Sequence, residues 1–298
     1  MKSTDLYLGS AMWGWTIDRP TVFALLDTFY AAGFRDVDTA TNYPIDKNPE
    51  HWRLAETWLA EWLDAHGVSD MRVMIKVGSV NNLKTPDQRL GRSFLHMQYA
   101  AYQRLFGTNL DTYMVHWDNR DDEAAIAETV TALGEIAKTG CRPGLSGIRH
   151  PDQYAAGGAK KLPDFKIQVK HNPLQSDYER YAPFHGARAF IAYGINAGGI
   201  KLNRAYHAKS SLVQRGGPPE KLPFDPVALR ELGSTVDPPL TQFNEWGMLY
   251  AHAHPDFCGI LLGTSRVAQL GSSIAYHRRL QSGALDALYP KLLQLLEA

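Results

Sequence analysis

Cysteine is nearly absent. Cys141 and Cys258 are the only two in 298 residues, too few for a disulfide framework or a four-ligand zinc site. Both read as reduced, buried thiols of a cytosolic protein. Neither sign of charge dominates: 31 Lys and Arg balance 31 Asp and Glu, which removes any general attraction to nucleic acid or an anionic membrane. No apolar run approaches the roughly 20 residues that cross a bilayer. The opening stretch MKSTDLYLGSAMWGW lacks the apolar core of a signal peptide. Two signatures are missing as well. LGSAMWGW carries glycines but no G-x-G-x-x-G, against a doubly wound dinucleotide-binding sheet. The 11 histidines are mostly scattered singly, with no H-x-H pair on any predicted strand. This counts against a metal-dependent barrel hydrolase, and no metal is expected.

What the chain does have is one repeated unit: a helical segment, a short β-rich run, then a polar loop. PTVFALLDTFYAAG spaces its apolar residues for a helix and leads to FRDVDTA. NPEHWRLAETWLAEWLDAHG leads to RVMIKVGS, SFLHMQYAAYQRLFG to DTYMVHW, and DEAAIAETVTALGEIAKTG to RPGLSG. A short helix near 151–158 precedes FKIQVKHN, the helical segment SDYERYAPFHG precedes ARAFIAYG, and QFNEWGMLYAHAHP precedes FCGILLGT. With LYLGSA in front, this makes eight strands. Parallel strands need crossovers, and apolar runs such as FCGILLG suit strands covered on both faces. The reading is a parallel eight-stranded (β/α)8 TIM barrel, one domain over 1–298. A long connection, 195–238, follows strand seven, and LDALYPKLLQLLEA closes the chain as an amphipathic helix.

Chemistry in such a barrel gathers at the C-terminal ends of the strands. Lys76, in the apolar strand VMIKVGS, needs a counter-charge there, because a buried ammonium is costly unless paired. Asp38, ending the preceding strand, is the nearest candidate. His116 stands in YMVHWD and Tyr43 just past Asp38 in DVDTATNY. A phenol gives up its proton poorly at neutral pH, and a nearby ammonium lowers its pKa. An imidazole beside it orients a substrate oxygen. Together the four make a proton donor for a carbonyl oxygen that is gaining negative charge, and they offer no nucleophile for acyl transfer.

DTATNY, IKVGS and YMVHWD, in this order and each at a strand end, resemble the aldo-keto reductase superfamily, a resemblance that runs over residues 5–280. It implies reduction of an aldehyde or ketone by NADPH (NADH as the alternative), with Tyr43 as proton donor assisted by Lys76, Asp38 and His116. It further implies that Ser146 and Gln168 hold the cofactor's carboxamide, that Tyr193, followed by Gly194, stacks on the nicotinamide, and that Met12 and Trp13 approach it through backbone. Gly263, Thr264, Ser265, Arg266 and Gln269 in GTSRVAQL would take the adenosine phosphate end, Arg266 facing the 2′-phosphate. Trp13, Trp15, His116 and Trp117 are expected to border the substrate pocket, with His51, Trp52, Asn81, Asn82 and Asp118 as further candidates for its rim. The chain departs from the family in four places. Gly147 replaces an asparagine, and Ser272 and Ser273 replace an acid–asparagine pair. Asp118 replaces a proline, and AYGINAGG stands in the strand-seven loop. The basic residues Lys201, Arg204, Lys209 and Arg215 are expected to fold over the cofactor's pyrophosphate. A small carbonyl compound is the expected partner, with the protein a monomer or small homo-oligomer in the cytoplasm. The alternative on the same fold is a slow NADP(H)-binding sensor.

Overall fold

In the computed structural model, which describes residues 3–85, 87–202, 206, 212, 217, 222 and 224–297, eight parallel strands close into a barrel. Six come first: β1 (Asp5–Gly9), β2 (Asp36–Ala40), β3 (Arg72–Val77), β4 (Leu110–His116), β5 (Arg142–Ser146) and β6 (Lys166–Asn172). The two-residue β7 (Gln175–Ser176) folds back antiparallel on β6. β8 (Phe190–Tyr193) and β9 (Phe257–Leu262) complete the ring. Neighbours pair in the order β5-β4-β3-β2-β1-β9-β8-β6, and β5–β6 pairing closes it.

The helices follow their sequence signals. α1 (Arg19–Ala31) starts where the Asp18 carboxylate accepts from the Thr21 amide at 3.0 Å, and it buries Val22, Leu25, Leu26 and Phe29 on one stripe. α2 (Leu54–His66) ends at Gly67, whose φ of 61° suits a residue without a Cβ. α3 (Arg92–Phe106), α4 (Glu123–Ala137) and the short α5 (Pro151–Ala156) cover the next strands. α6 (Pro226–Gly233), α7 (Phe243–Ala253), α8 (Val267–Gln281) and α9 (Leu288–Glu297) complete the outer layer. None of the described helices is long and apolar enough to cross a membrane.

Side chains alternate along each strand, so every second residue faces the barrel interior. At the N-terminal end this inner set carries charge: Arg72 pairs with Asp36, and Arg142 with Asp111 at 2.6 Å. In the middle it is apolar, a cluster of Tyr7, Met74, Met114 and Ile191. Gly144 leaves room for it, since a Cβ there would stand 2.6 Å from Met114 Cε. At the C-terminal end it turns polar again, with Asp38, Lys76, Ser146 and Gln168.

Two segments differ from the sequence reading. SDYERYAPFHG forms β7 and a 3-10 stretch, Tyr178–Phe184, rather than an α-helix; Pro183 lies inside it and Tyr181 leaves helical geometry at φ −97°, ψ 25°. The connection 195–238 contains α6, started by Asp225, whose carboxylate accepts from the Val227 amide at 2.8 Å, and by Pro226 at its first turn. Arg204, Lys209 and Arg215 of that connection lie outside the described residues; Lys201 is half-buried, its amide donating to the Tyr206 hydroxyl at 3.1 Å.

Candidate active site

Strand register brings the polar residues together. Ala40 pairs with Lys76, Lys76 with Met114, His116 with Ser146, and Ser146 with Gln168. Lys76 is wholly buried. Its ammonium donates to both oxygens of Asp38 at 2.5 Å and to Gln168 Oε1 at 3.2 Å. Gln168 returns its Nε2 to Asp38 at 2.8 Å, and Ser146 Oγ reaches Gln168 Oε1 at 3.2 Å. The buried charge therefore sits in a closed network in which each partner is satisfied, the condition under which such a pair is tolerated. Burial nevertheless pulls the Lys76 pKa down, against the opposing pull of Asp38.

Tyr43 leaves β2 by a tight turn, its amide donating to the Ala40 carbonyl at 3.0 Å. Thr41 is anchored to the backbone of Lys76, with amide and hydroxyl both on Lys76 O, at 3.0 and 2.9 Å. The Lys76 ammonium lies 4.9 Å from the Tyr43 ring centroid. The His116 ring meets Tyr43 edge-on at 6.0 Å and tilts against Trp117 at 4.6 Å. All four residues are buried, Tyr43 at 9% exposed being the most open.

The Lys76 charge is met by Asp38 and Gln168, and among the described residues no hydrogen bond links it to the Tyr43 hydroxyl. Burial, and then the Asp38 charge, push the Tyr43 pKa well above 10. Burial and the Lys76 charge push His116 well below 6.5, so its imidazole is neutral at physiological pH.

The candidates for the rim divide. Trp13 is wholly buried in the core and presents no open wall, whereas Trp15 is 38% exposed and Trp117 half-buried. Asp118 faces away from the mouth, paired with Arg120 at 2.8 Å and accepting from the Tyr154 hydroxyl at 2.6 Å. Asn82 is spent as a clamp, its amide donating to Asn48 O at 2.6 Å, Asp46 Oδ1 at 3.3 Å and Pro44 O at 3.4 Å. His51 pairs with Asp46 beside it at 2.5 Å. Asn81 is engaged locally with Thr85, and Trp52 lies on the outer side, between α2 and α3. The clamp was missed as such: its signal is only a polar residue six positions after Lys76. Gly147 has φ 67°, and a Cβ there would come within 2.5 Å of Trp117 Cδ1. Trp117, itself at φ 57°, thus takes the space that a side chain at 147 would occupy.

The expected cofactor residues ring the same mouth. Met12 lies beyond β1, its carbonyl receiving the amides of Trp15, Thr16 and Ile17. Tyr193 ends β8, its phenol pushed up to about 12 chiefly by burial, and the Gly194 carbonyl is held by Asn172 Nδ2 at 2.9 Å. After β9, Gly263, Ser265, Arg266 and Gln269 are exposed. Thr264 Oγ1 is buried without a hydrogen-bond partner, and α8 begins at Val267 with no side-chain cap. Ser272 spends its hydroxyl on the Ala268 carbonyl of its own helix at 3.0 Å, and Ser273 is buried. Among the described residues no group of three His, Cys, Asp or Glu is placed to hold a metal ion.

The model of the Aldo/keto reductase family matches residues 5–282. Protein tas of Escherichia coli (strain K12) is 29% identical over 161 residues, covering 47% of this chain and 46% of the relative. The putative aryl-alcohol dehydrogenase AAD14 of Saccharomyces cerevisiae is 26% identical over 241 residues, 72% of this chain and 60% of that one. The aryl-alcohol dehydrogenase (NADP+) of Phanerodontia chrysosporium is 26% identical over 137 residues, 42% and 33%. The chain thus spans between 33% and 60% of the length of these relatives.

Proposed function

Since this chain belongs to the aldo/keto reductase family, we propose that it is an oxidoreductase that reduces a small aldehyde or ketone to the alcohol with NADPH, Tyr43 supplying the proton. One observation carries the reading. A phenol, a carboxylate-held ammonium and a neutral imidazole converge at the ends of β2, β3 and β4, with the Tyr43 ring centroid 4.9 Å from Lys76 Nζ and 6.0 Å from the His116 ring centroid.

The residues fit the cofactor on their own terms. An orphaned Thr264 hydroxyl, the uncapped N-terminus of α8 and the exposed Arg266 guanidinium form an anion-binding end. Ser146 and Gln168, now bonded to each other and to the Lys76–Asp38 pair, are the groups at the mouth that could turn to an amide, and the half-buried Tyr193 ring is a flat surface. When bound, the nicotinamide supplies the hydride.

The chain's own part is the proton. Burial keeps Tyr43 a neutral hydroxyl at physiological pH, so the acid is loaded before the substrate arrives. As the carbonyl oxygen gains charge, the Tyr43 O–H bond breaks and the substrate O–H bond forms. The phenolate left behind lies near the Lys76 ammonium, which Asp38 and Gln168 hold in place. Neutral His116 offers a hydrogen bond without a competing charge, and it orients the oxygen. Trp117 walls this space with a flat apolar face, which together with the names of two relatives favours aryl carbonyl compounds.

Tyr43→Phe tests the assignment. Binding of NADPH, followed by fluorescence titration, is retained. Turnover on benzaldehyde drops at least ~10²-fold, the usual cost of losing one well-placed donor. Near-normal turnover would overturn the role of Tyr43.

A further inference from the structure

Outside the barrel mouth, a second cavity of about 210 Å³ lies between α2, α3 and the exit of β3. Its polar groups are few and specific. Arg53, immediately before α2, sits at φ 66°, a left-handed conformation that a non-glycine residue adopts at a cost. This conformation directs its guanidinium to the buried Glu56, which accepts from Nε, while the Arg53 side chain stays 38% exposed. Glu56 also accepts from the Tyr102 hydroxyl at 2.8 Å and is the sole ion-pair partner of Arg53 among the described residues. Arg53 itself lines the cavity, its guanidinium carbon 5.5 Å from the Tyr102 ring centroid. Ser79 and Gln98, whose side chains make no hydrogen bond among the described residues, line it too, and Trp52 and Phe94 supply flat apolar walls.

We propose that this cavity binds a small aromatic carboxylate, its carboxyl group on the Arg53 guanidinium and its ring between Trp52 and Phe94. A planar carboxylate matches a guanidinium fork. Glu56 already offsets part of the cation's charge, so a monoanion with a hydrocarbon body suits the site better than a phosphate dianion. The apolar walls then take the body of the ligand. This inference stands on its own residues and does not depend on the reduction chemistry.

Benzoate titrated into the full chain, by calorimetry and by ligand-observed NMR, is the test. Wild-type protein binds it. Arg53→Gln and Gln98→Glu, the second placing a like charge in the cavity without touching the Arg53–Glu56 pair, each weaken binding at least about tenfold. Trp117→Leu at the barrel mouth leaves the affinity within about twofold. Should Arg53→Gln fail to fold, Gln98→Glu decides alone. No binding to wild-type protein, or binding lost in Trp117→Leu and kept in Gln98→Glu, would overturn the proposal.

Discussion

On the β2–β4 side of the mouth, Asp38, Tyr43, Lys76 and His116 are all buried, and their partners come from β5, β6 and the loops beside them. On the β9 side, Gly263, Ser265, Arg266 and Gln269 are exposed, and Arg266 makes no ion pair among the described residues. The first group is held by contacts within the protein and is organised before any ligand binds. The second has the chemistry of an anion site, and its donors face solvent. The two sides should therefore fail differently. Damage on the buried side costs stability and turnover together, while damage on the exposed side costs affinity alone.

The largest effect is expected at Lys76. Lys76→Met leaves Asp38 buried with Gln168 as its only remaining side-chain donor among the described residues, and removing one partner of a buried pair costs about 3–5 kcal/mol. Turnover should fall by at least ~10² as the phenolate loses its cation. Thermal denaturation and aldehyde reduction, measured on one preparation, check both. A variant that is inactive yet as stable as wild type would break the comparison.

The next effect concerns pH on the same side. Burial raises the Glu56 carboxyl from 4.5 to about 7. Between those values the folded chain keeps a proton that the unfolded chain releases, so the stability Glu56 contributes is fully present below about 4.5 and is lost as pH rises through about 7. A shift of that size corresponds to roughly 3 kcal/mol. The melting temperature should fall between pH 5 and pH 8, and Glu56→Gln should flatten that slope. An unchanged slope in the variant would place the titration elsewhere.

How much of this was legible depends on how local each cause is. The barrel could be read because alternation and periodicity are local, and Lys76 could be assigned to Asp38 because a lysine in an apolar strand demands a counter-charge. Asp118 could not be assigned: it reads as a polar group at the mouth until Arg120 and Tyr154, the latter on α5, are seen to claim it. Trp13 could not be separated from Trp15, since which of two nearby indoles turns inward depends on the packing around the loop. The environment of Tyr43 was hard to read for a related reason. Proximity of an ammonium was weighed, but Asp38 had already been given to that ammonium, and burial acts on the phenol unopposed. α6 was readable in principle, from the aspartate and proline that start it, and was hidden by the glycine- and proline-rich stretch before it.

The smallest expected effect is the one that isolates the exposed side. Arg266 is exposed and its side chain makes no hydrogen bond or ion pair among the described residues, so Arg266→Gln should leave the melting temperature within a degree or so. A guanidinium on a phosphate is a charge-assisted contact, so NADPH affinity should weaken about tenfold, or ~1.4 kcal/mol. NADH, without the 2′-phosphate, should bind wild type and variant alike. Fluorescence titration with both nucleotides measures the difference directly. If NADH weakens as much as NADPH, Arg266 supports the adenosine end in general rather than reading the extra phosphate. Discrimination between the nucleotides would then have to come from other groups of the β9 side.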